Sequence, residues 1–313
     1  MDVAIIIVNW NTRDILRNCL ESIYAQTQNI SFKVIVVDNA SSDGSAKMVQ
    51  SVFPDVTLIV NDTNQGYATA LNQGMQVSNG RYKLLLNSDI IICDNAIEKT
   101  VRYADRHLEV GMVGCQVRED DGNMMTCFNF PTVFSVFCTI SCLARVFKNN
   151  RLFGHEHMLW WKRDSEREVD VISGMFMLVR DEAIQQVGGM DEDYFLFYEE
   201  TDWCYRFAKA NLKRMFWPGA SIIHLHSGGQ SQKQDPLKFY IQFYKSLFIY
   251  FRKHHGFLRS FMVRIMLLIN AMLRTIAWTM LAALKTLLRK DVSVELRHRE
   301  ENRRLFRFCA LGK

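Results

Sequence analysis

Four short apolar runs, Val3–Val8, Lys33–Val37, Val56–Val60 and Lys83–Leu86, recur at regular intervals through the first third of the chain. Runs of this length without polar alternation read as strands covered on both faces, the pattern of a parallel sheet. Stretches with helical spacing lie between and after them, at about 13–27, 45–53, 67–79 and 94–107. Repeated strand–helix units of this size predict a doubly wound, mostly parallel α/β domain.

Each run ends in polar residues. The first is followed by Asn9-Trp10-Asn11, the second by Asp38-Asn39, the third by Asn61-Asp62-Thr63-Asn64-Gln65-Gly66, and the fourth by Asn87-Ser88-Asp89. One such loop is ordinary turn chemistry. Four in succession place a ligand outside the carboxyl ends of the strands. Neither GxGxxG nor GxxxxGK[ST] occurs, which argues against a dinucleotide fold and a P-loop.

At 313 residues, with 49% hydrophobic and 23% charged residues, the chain is long and apolar enough for a full core. The net charge of +5 suits an anionic partner without pointing to nucleic acid, and none is expected. Eight cysteines without a CxxC pair read as reduced, buried thiols. The N-terminus lacks a basic segment and begins a strand at once, so no signal peptide is expected.

Residues 119–170 show little regular pattern. An apolar run returns at Val171–Val179, broken by Ser173-Gly174, and a turn follows at Gly188-Gly189. Next comes Phe197-Tyr-Glu-Glu-Thr-Asp-Trp203, with Glu199, Glu200 and Asp202 among aromatics. Carboxylates crowd in this way at a helix start, near a cation, or where a catalytic base is made. A helix is expected at about 200–211, on which Asp202 and Arg206 lie four apart and can pair. Asp89, at a strand end, suits a hard divalent cation that bridges phosphates. His224 and His226 precede the flexible Ser227-Gly228-Gly229, and imidazole also suits manganese.

Together these pieces resemble the family 2 inverting glycosyltransferases of GT-A fold, especially the rhamnosyltransferase-like branch. The matching segments are Ile6-Ile-Val-Asn-Trp-Asn11, Val36-Val-Asp-Asn-Ala-Ser-Ser-Asp-Gly-Ser45, Asn64-x-Gly-Tyr-Ala-x-Ala-x-Asn72-x-Gly74 and Leu84-Leu-Leu-Asn-Ser-Asp89. They continue with Ser173-Gly-Met-Phe176, Gly188-Gly-Met-Asp191, Tyr198-Glu-Glu-Thr-Asp-Trp203 and His226-Ser-Gly-Gly-Gln-Ser231. The resemblance implies that Asp38 hydrogen-bonds the pyrimidine of a nucleotide-diphosphate sugar. Asn9, Asn11, Asn39, Asn64, Gly66, Asn87 and Ser88 are then donor-binding residues. It implies that Asp89 is the last acid of a DxD motif holding Mn²⁺ or Mg²⁺, with Asn87 at the motif's first position and His226 completing the coordination. It makes Glu200 the expected base toward the acceptor hydroxyl and leaves Glu199 as the alternative.

The resemblance covers about 2–232, so the expected division is a GT-A domain at 1–234 and a helical, basic, amphipathic tail at 235–313. Within 257–288, Arg264, Arg274 and Lys285 interrupt the apolar sequence, and the longest uncharged stretch there, Thr275–Leu284, is half the ~20 residues of a membrane span. At ~100° per residue, Arg264, Arg274, Lys285 and Arg289 share one arc opposite apolar side chains. Such a helix either lies on a membrane with its cations toward headgroups, or packs on the domain or a second subunit. A charge-dense helix at 295–307 is expected to be solvated. The expected activity is metal-dependent transfer from dTDP-rhamnose or a UDP-sugar to a glycan or lipid-linked acceptor, at the inner face of the cell membrane. The alternative is a non-catalytic sugar-nucleotide-binding or scaffold subunit, which would be expected to have lost Asp89 or the Glu199-Glu200 pair. Both are present.

Overall fold

The computed structural model describes residues 1–119, 126–225 and 236–311. By contacts the chain divides into two compact units, Met1–Phe130 with His157–Gln234, and Pro131–Glu156 with Asp235–Lys313. The segment 131–156, part of the stretch with little pattern in the sequence, thus clusters with the C-terminal helices.

The first unit is built on a mixed sheet. Strands β1 (Val3–Asn9), β2 (Phe32–Asp38), β3 (Thr57–Val60) and β4 (Tyr82–Asn87) stand in the order β3-β2-β1-β4, all parallel. Helices α1 (Arg13–Gln26), α2 (Ser45–Val52) and α3 (Tyr67–Gln76) make the crossovers. The four apolar runs are therefore strands of one sheet; β3 stands at its edge and is only partly buried, which corrects the expectation of cover on both faces there, whereas β1 is buried along its whole length. Its alternate residues enter two cores: Val3, Ile5 and Ile7 on one face, Ala4, Ile6 and Val8 on the other. This is why its sequence carries no polar alternation.

Beyond β4 the sheet continues through strands at Phe176–Arg180, Val110–Glu119, Lys213–His224 and Ile90–Ile92. The first pairs antiparallel with β4, and Lys213–His224 runs parallel to Val110–Glu119. The apolar run at 171–179 is two strands, Val171–Ile172 and Phe176–Arg180, separated at Ser173-Gly174. The helix at the acidic cluster spans Glu199–Lys209.

The second unit is helical. Its long helix, Pro236–Leu287, is broken at Gly256, where φ of +81° leaves the helical region. By length and composition Lys238–Leu287 is apolar enough to cross a membrane: an 18-residue window reaches a mean hydropathy of 1.6. This exceeds the expectation from uncharged stretches, because Arg274 alone separates two apolar segments.

Three of the four cations on the arc bond to other helices of this unit, and Arg289 is exposed. Arg264 donates to the carbonyls of Cys309 (2.6 Å) and Phe308, in the last turn of the C-terminal helix Ser293–Leu311. Arg274 and Asn270 donate to Ile140 O, the last carbonyl of the helix Val133–Ile140. Lys285 pairs with Glu295 at 2.6 Å. Two of these cations thus satisfy helix C-termini, whose carbonyls lack intrahelical donors and carry partial negative charge. The C-terminal helix is also not solvated all round, since Glu295, Asn302, Leu305 and Cys309 are buried.

Candidate active site

The carboxyl ends of β1, β2 and β4 carry a connected polar network. Asn9 is fully buried, and its amide donates to Asp38 Oδ2 and Ser41 Oγ, both at 3.0 Å. Asp38 Oδ1 accepts from the Ser41 backbone N–H. With one lone pair on each carboxylate oxygen so engaged, the others remain for a ligand. Thr12 donates to Asn9 Oδ1 and contacts Ser88 Oγ at 3.1 Å, tying the first strand's loop to the fourth's. Asn11, at φ +55°, holds the following turn by accepting from the Ser42 N–H.

A second part of the network shapes the third loop. The Asn39 amide donates to Asn64 Oδ1 (2.9 Å) and Gly66 O, and its Oδ1 accepts from the Gln65 N–H and from Asn61. Gly66 has φ +88°, and a Cβ there would lie 2.8 Å from the Phe195 carbonyl oxygen. That carbonyl accepts from the Tyr67 N–H at 2.7 Å. Only glycine allows this approach.

Tyr67 opens α3 and joins this loop to the fourth strand, its hydroxyl donating to Asn87 Oδ1 at 2.7 Å. Two residues on, Asp89 Oδ2 lies 3.2 Å from His224 Nε2, and the Asp89 carbonyl accepts from the Leu225 N–H. The other carboxylate oxygen, Asp89 Oδ1, is buried without a hydrogen-bond partner among the described residues. A buried acceptor left open in this way fits an unprotonated ligand such as a cation.

Glu199 and Glu200 begin their helix directly after two consecutive residues at positive φ, Phe197 (+68°) and Tyr198 (+66°). Non-glycine residues pay strain in this region, and such strain clusters at functional sites. Glu199 is buried, and its Oε2 has no hydrogen-bond partner among the described residues. Burial pushes its carboxyl well above the usual range, and the neighbouring Glu200 adds to the shift. Burial raises Glu200 as well. Tyr67 reports the same field, because burial raises its phenol and the charges of Glu199, Glu200 and Asp89 raise it further. These three carboxylates thus lie within electrostatic reach of one hydroxyl. Asp202, by contrast, pairs with Arg206 at 2.8 Å as the four-residue spacing predicts, and acts within the helix.

The strand-end residues Asn9, Asp38, Asn39, Asn64, Gly66, Asn87, Ser88 and Asp89 are therefore gathered by the sheet, while Asn11 shapes the turn beside them. His226 lies outside the described residues. Two side chains enter without having been singled out for a role, Thr12 and Tyr67. Tyr67 sits inside the Asn64-x-Gly-Tyr segment, but its reach to Asn87 depends on α3 packing. His224 was open as a metal ligand beside His226, and only strand pairing brings it to Asp89.

A family model described as glycosyl transferase family 2 matches residues 4–182. An N-acetylglucosaminyl-diphospho-decaprenol L-rhamnosyltransferase of Mycobacterium tuberculosis is 26% identical over 81% of this chain and 85% of its own. The rhamnosyltransferase WbbL of Escherichia coli K12 is 26% identical over 71% of this chain and 83% of its own. In fold, the chain resembles a mannosyltransferase from Pyrobaculum calidifontis solved with GDP-Man and Mn²⁺. The TM-score is 0.59 at 15% identity, covering 99% of this chain and 87% of that one.

Proposed function

The chain belongs to glycosyl transferase family 2 and is a rhamnosyltransferase-like glycosyltransferase, and from that premise we propose that it moves a rhamnosyl or related sugar from a nucleotide diphosphate to an acceptor hydroxyl. The observation that carries this reading is the pair of raised carboxylates Glu199 and Glu200, which together with Asp89 lie within electrostatic reach of the Tyr67 hydroxyl. The relatives' names favour a rhamnosyl group as the sugar moved, which makes dTDP-rhamnose our first candidate donor ahead of a UDP-sugar, with a glycan or lipid-linked acceptor in polysaccharide assembly.

Asp38 offers its remaining lone pairs to the N–H of a pyrimidine, held in place by Asn9 and Ser41. Asn39, Asn64 and Gly66 hold the adjoining loop, and Asn87 and Ser88 line the path to Asp89. Glu200 takes the proton of the acceptor hydroxyl as that oxygen attacks the anomeric carbon opposite the leaving diphosphate, which inverts configuration. A raised pKa favours proton acceptance near neutral pH and keeps the base partly protonated below it. Burial and the mutual repulsion of the two carboxylates favour keeping one proton on the pair, which leaves a single negative charge to act as base.

Asp89 and His224 would hold Mn²⁺ or Mg²⁺, with His226 as a further ligand. Among the described residues no group of three or more His, Cys, Asp or Glu gathers for a metal. Diphosphate oxygens and water would therefore supply much of the coordination, as is usual for hard cations at phosphates. The bound ion supplies positive charge that offsets the charge growing on the leaving diphosphate.

The catalytic domain is assigned to 1–234, and the enzyme is placed on the cytoplasmic face of the membrane, held there through its helical tail. The test is release of nucleotide diphosphate from a panel of nucleotide-sugars, with and without Mn²⁺, by wild type and Glu200→Gln. Turnover of dTDP-rhamnose that the variant lacks is the expected result. Equal release by both proteins would overturn the reading.

A further inference from the structure

The face of the long helix opposite its cations is apolar and open. Leu258, Ile269, Leu273, Ile276, Met280 and Leu287 are each 48–81% exposed: 69%, 48%, 56%, 48%, 68% and 81% in turn. At ~100° per residue they fall within a ~60° arc, and the stripe runs ~44 Å at 1.5 Å per residue. Val263, Leu267 and Ala271, on the other side, are buried. Monomeric surfaces rarely carry an apolar strip of this size without a partner.

Charge indicates which partner. From 236 to 290 the chain contains no Asp or Glu and ten Lys or Arg. Arg252 and Arg259 near one end of the stripe, and Arg289 and Lys290 at the other, are exposed. Beside the stripe a cavity of about 350 Å³ is lined by Met272, Thr275, Ile276 and Phe306, with Arg303 and Arg307 contributing two guanidinium groups. An apolar wall beside two guanidinium groups matches an amphiphile whose charged end is a phosphate. A second copy of the same face would bring cation against cation, which disfavours a symmetric pair.

The unit also favours lying on a membrane over crossing it. Arg264, Asn270, Arg274 and Lys285 are committed to other helices of the unit. The C-terminal helix that Arg264 and Lys285 hold carries nine charged or histidine side chains between Glu295 and Arg307, and a span would draw these into hydrocarbon.

We propose that the helical unit docks flat on an anionic lipid surface, with the stripe Leu258–Leu287 in the headgroup–acyl boundary and Arg303 and Arg307 on lipid phosphates. This deepens the membrane placement proposed above and rests on it. The arginines responsible are then those of the C-terminal helix and the stripe's ends, not Arg264 and Arg274.

The experiment is co-sedimentation of the full chain with phosphatidylcholine vesicles, with or without phosphatidylglycerol. Leu273→Glu combined with Met280→Glu should lower partitioning at least about tenfold, because both apolar side chains leave the boundary. Arg303→Ala and Arg307→Ala should each lower it about fivefold on anionic vesicles, less in high salt, and hardly at all on neutral ones. Circular dichroism checks that the variants fold, and donor hydrolysis checks the catalytic unit separately. Vesicle binding that none of these variants weakens would overturn the proposal. So would resistance to carbonate extraction, or a stable dimer that the glutamate pair dissociates without any vesicle binding. Intact vesicle binding with no turnover of any donor would instead sink the sugar-transfer reading and leave the docking surface standing.

Discussion

The hydroxyl of Tyr67 donates to the side-chain oxygen of Asn87 at 2.7 Å, across two elements that the sheet brings together. Asn87 occupies the position where a second acid would add charge beside Asp89, and the phenol fixes which way its amide faces. Tyr67→Phe removes one hydrogen bond and keeps the ring. The expected result is a roughly three- to tenfold rise in donor KM with a smaller change in kcat. Steady-state kinetics at saturating acceptor decide it, and an unchanged donor KM would count against Asn87 as a donor contact.

Asp89→Ala removes the open carboxylate oxygen and should abolish transfer while preserving the fold. His224→Ala should be milder, raising the Mn²⁺ concentration needed for half-maximal rate by about tenfold or more. Metal titrations of the two variants test this ordering. Full activity of wild type in EDTA would remove the metal from the mechanism.

The raised carboxylates predict two pH effects. The base acts when deprotonated, so kcat/KM should rise with pH through a midpoint above the ordinary glutamate value of 4.5. Glu200→Gln should lower kcat at least ~10²-fold and erase that limb. The same loss in Glu199→Gln, with Glu200→Gln active, would exchange their roles.

Stability should move in the opposite direction. A carboxyl raised in the folded state binds its proton more tightly there than in the unfolded chain. Its contribution is therefore full below about 4.5 and is lost as pH rises toward the folded value. Glu199→Gln removes this loss, so its Tm should exceed wild type at neutral pH and match it more closely near pH 4. Thermal melts across that range give the answer, and a variant less stable than wild type at pH 7 would contradict the burial argument.

Gly66→Ala places a methyl 2.8 Å from the Phe195 carbonyl at a positive φ. A destabilisation of about 1–3 kcal/mol is expected, with weaker donor binding, because the Asn39–Asn64 loop must shift. Denaturant unfolding with donor titration measures both. Gly44→Ala is the control, since it shares a positive φ but its Cβ would meet nothing within 4 Å.

The sheet and its ligand edge were legible in the sequence because their causes are local. A strand buried on both faces must be apolar at every position, as β1 is, and the polar residue that follows marks where the chain leaves the sheet. The Asp202–Arg206 pair was legible for the same reason, since helical spacing alone sets four residues side by side. Helical spacing also placed Arg264, Arg274 and Lys285 on one arc correctly. Which way that arc turns was decided only by tertiary packing, because periodicity defines faces without saying what lies against them. Here the C-termini of two other helices take Arg264 and Arg274, and the apolar face is left outside. His224 and Asp89 are 135 residues apart, and Tyr67 and Asn87 are twenty apart on different elements. Their meetings depend on strand order and helix docking, which are set by burial summed over the whole core and written in no single stretch of the chain.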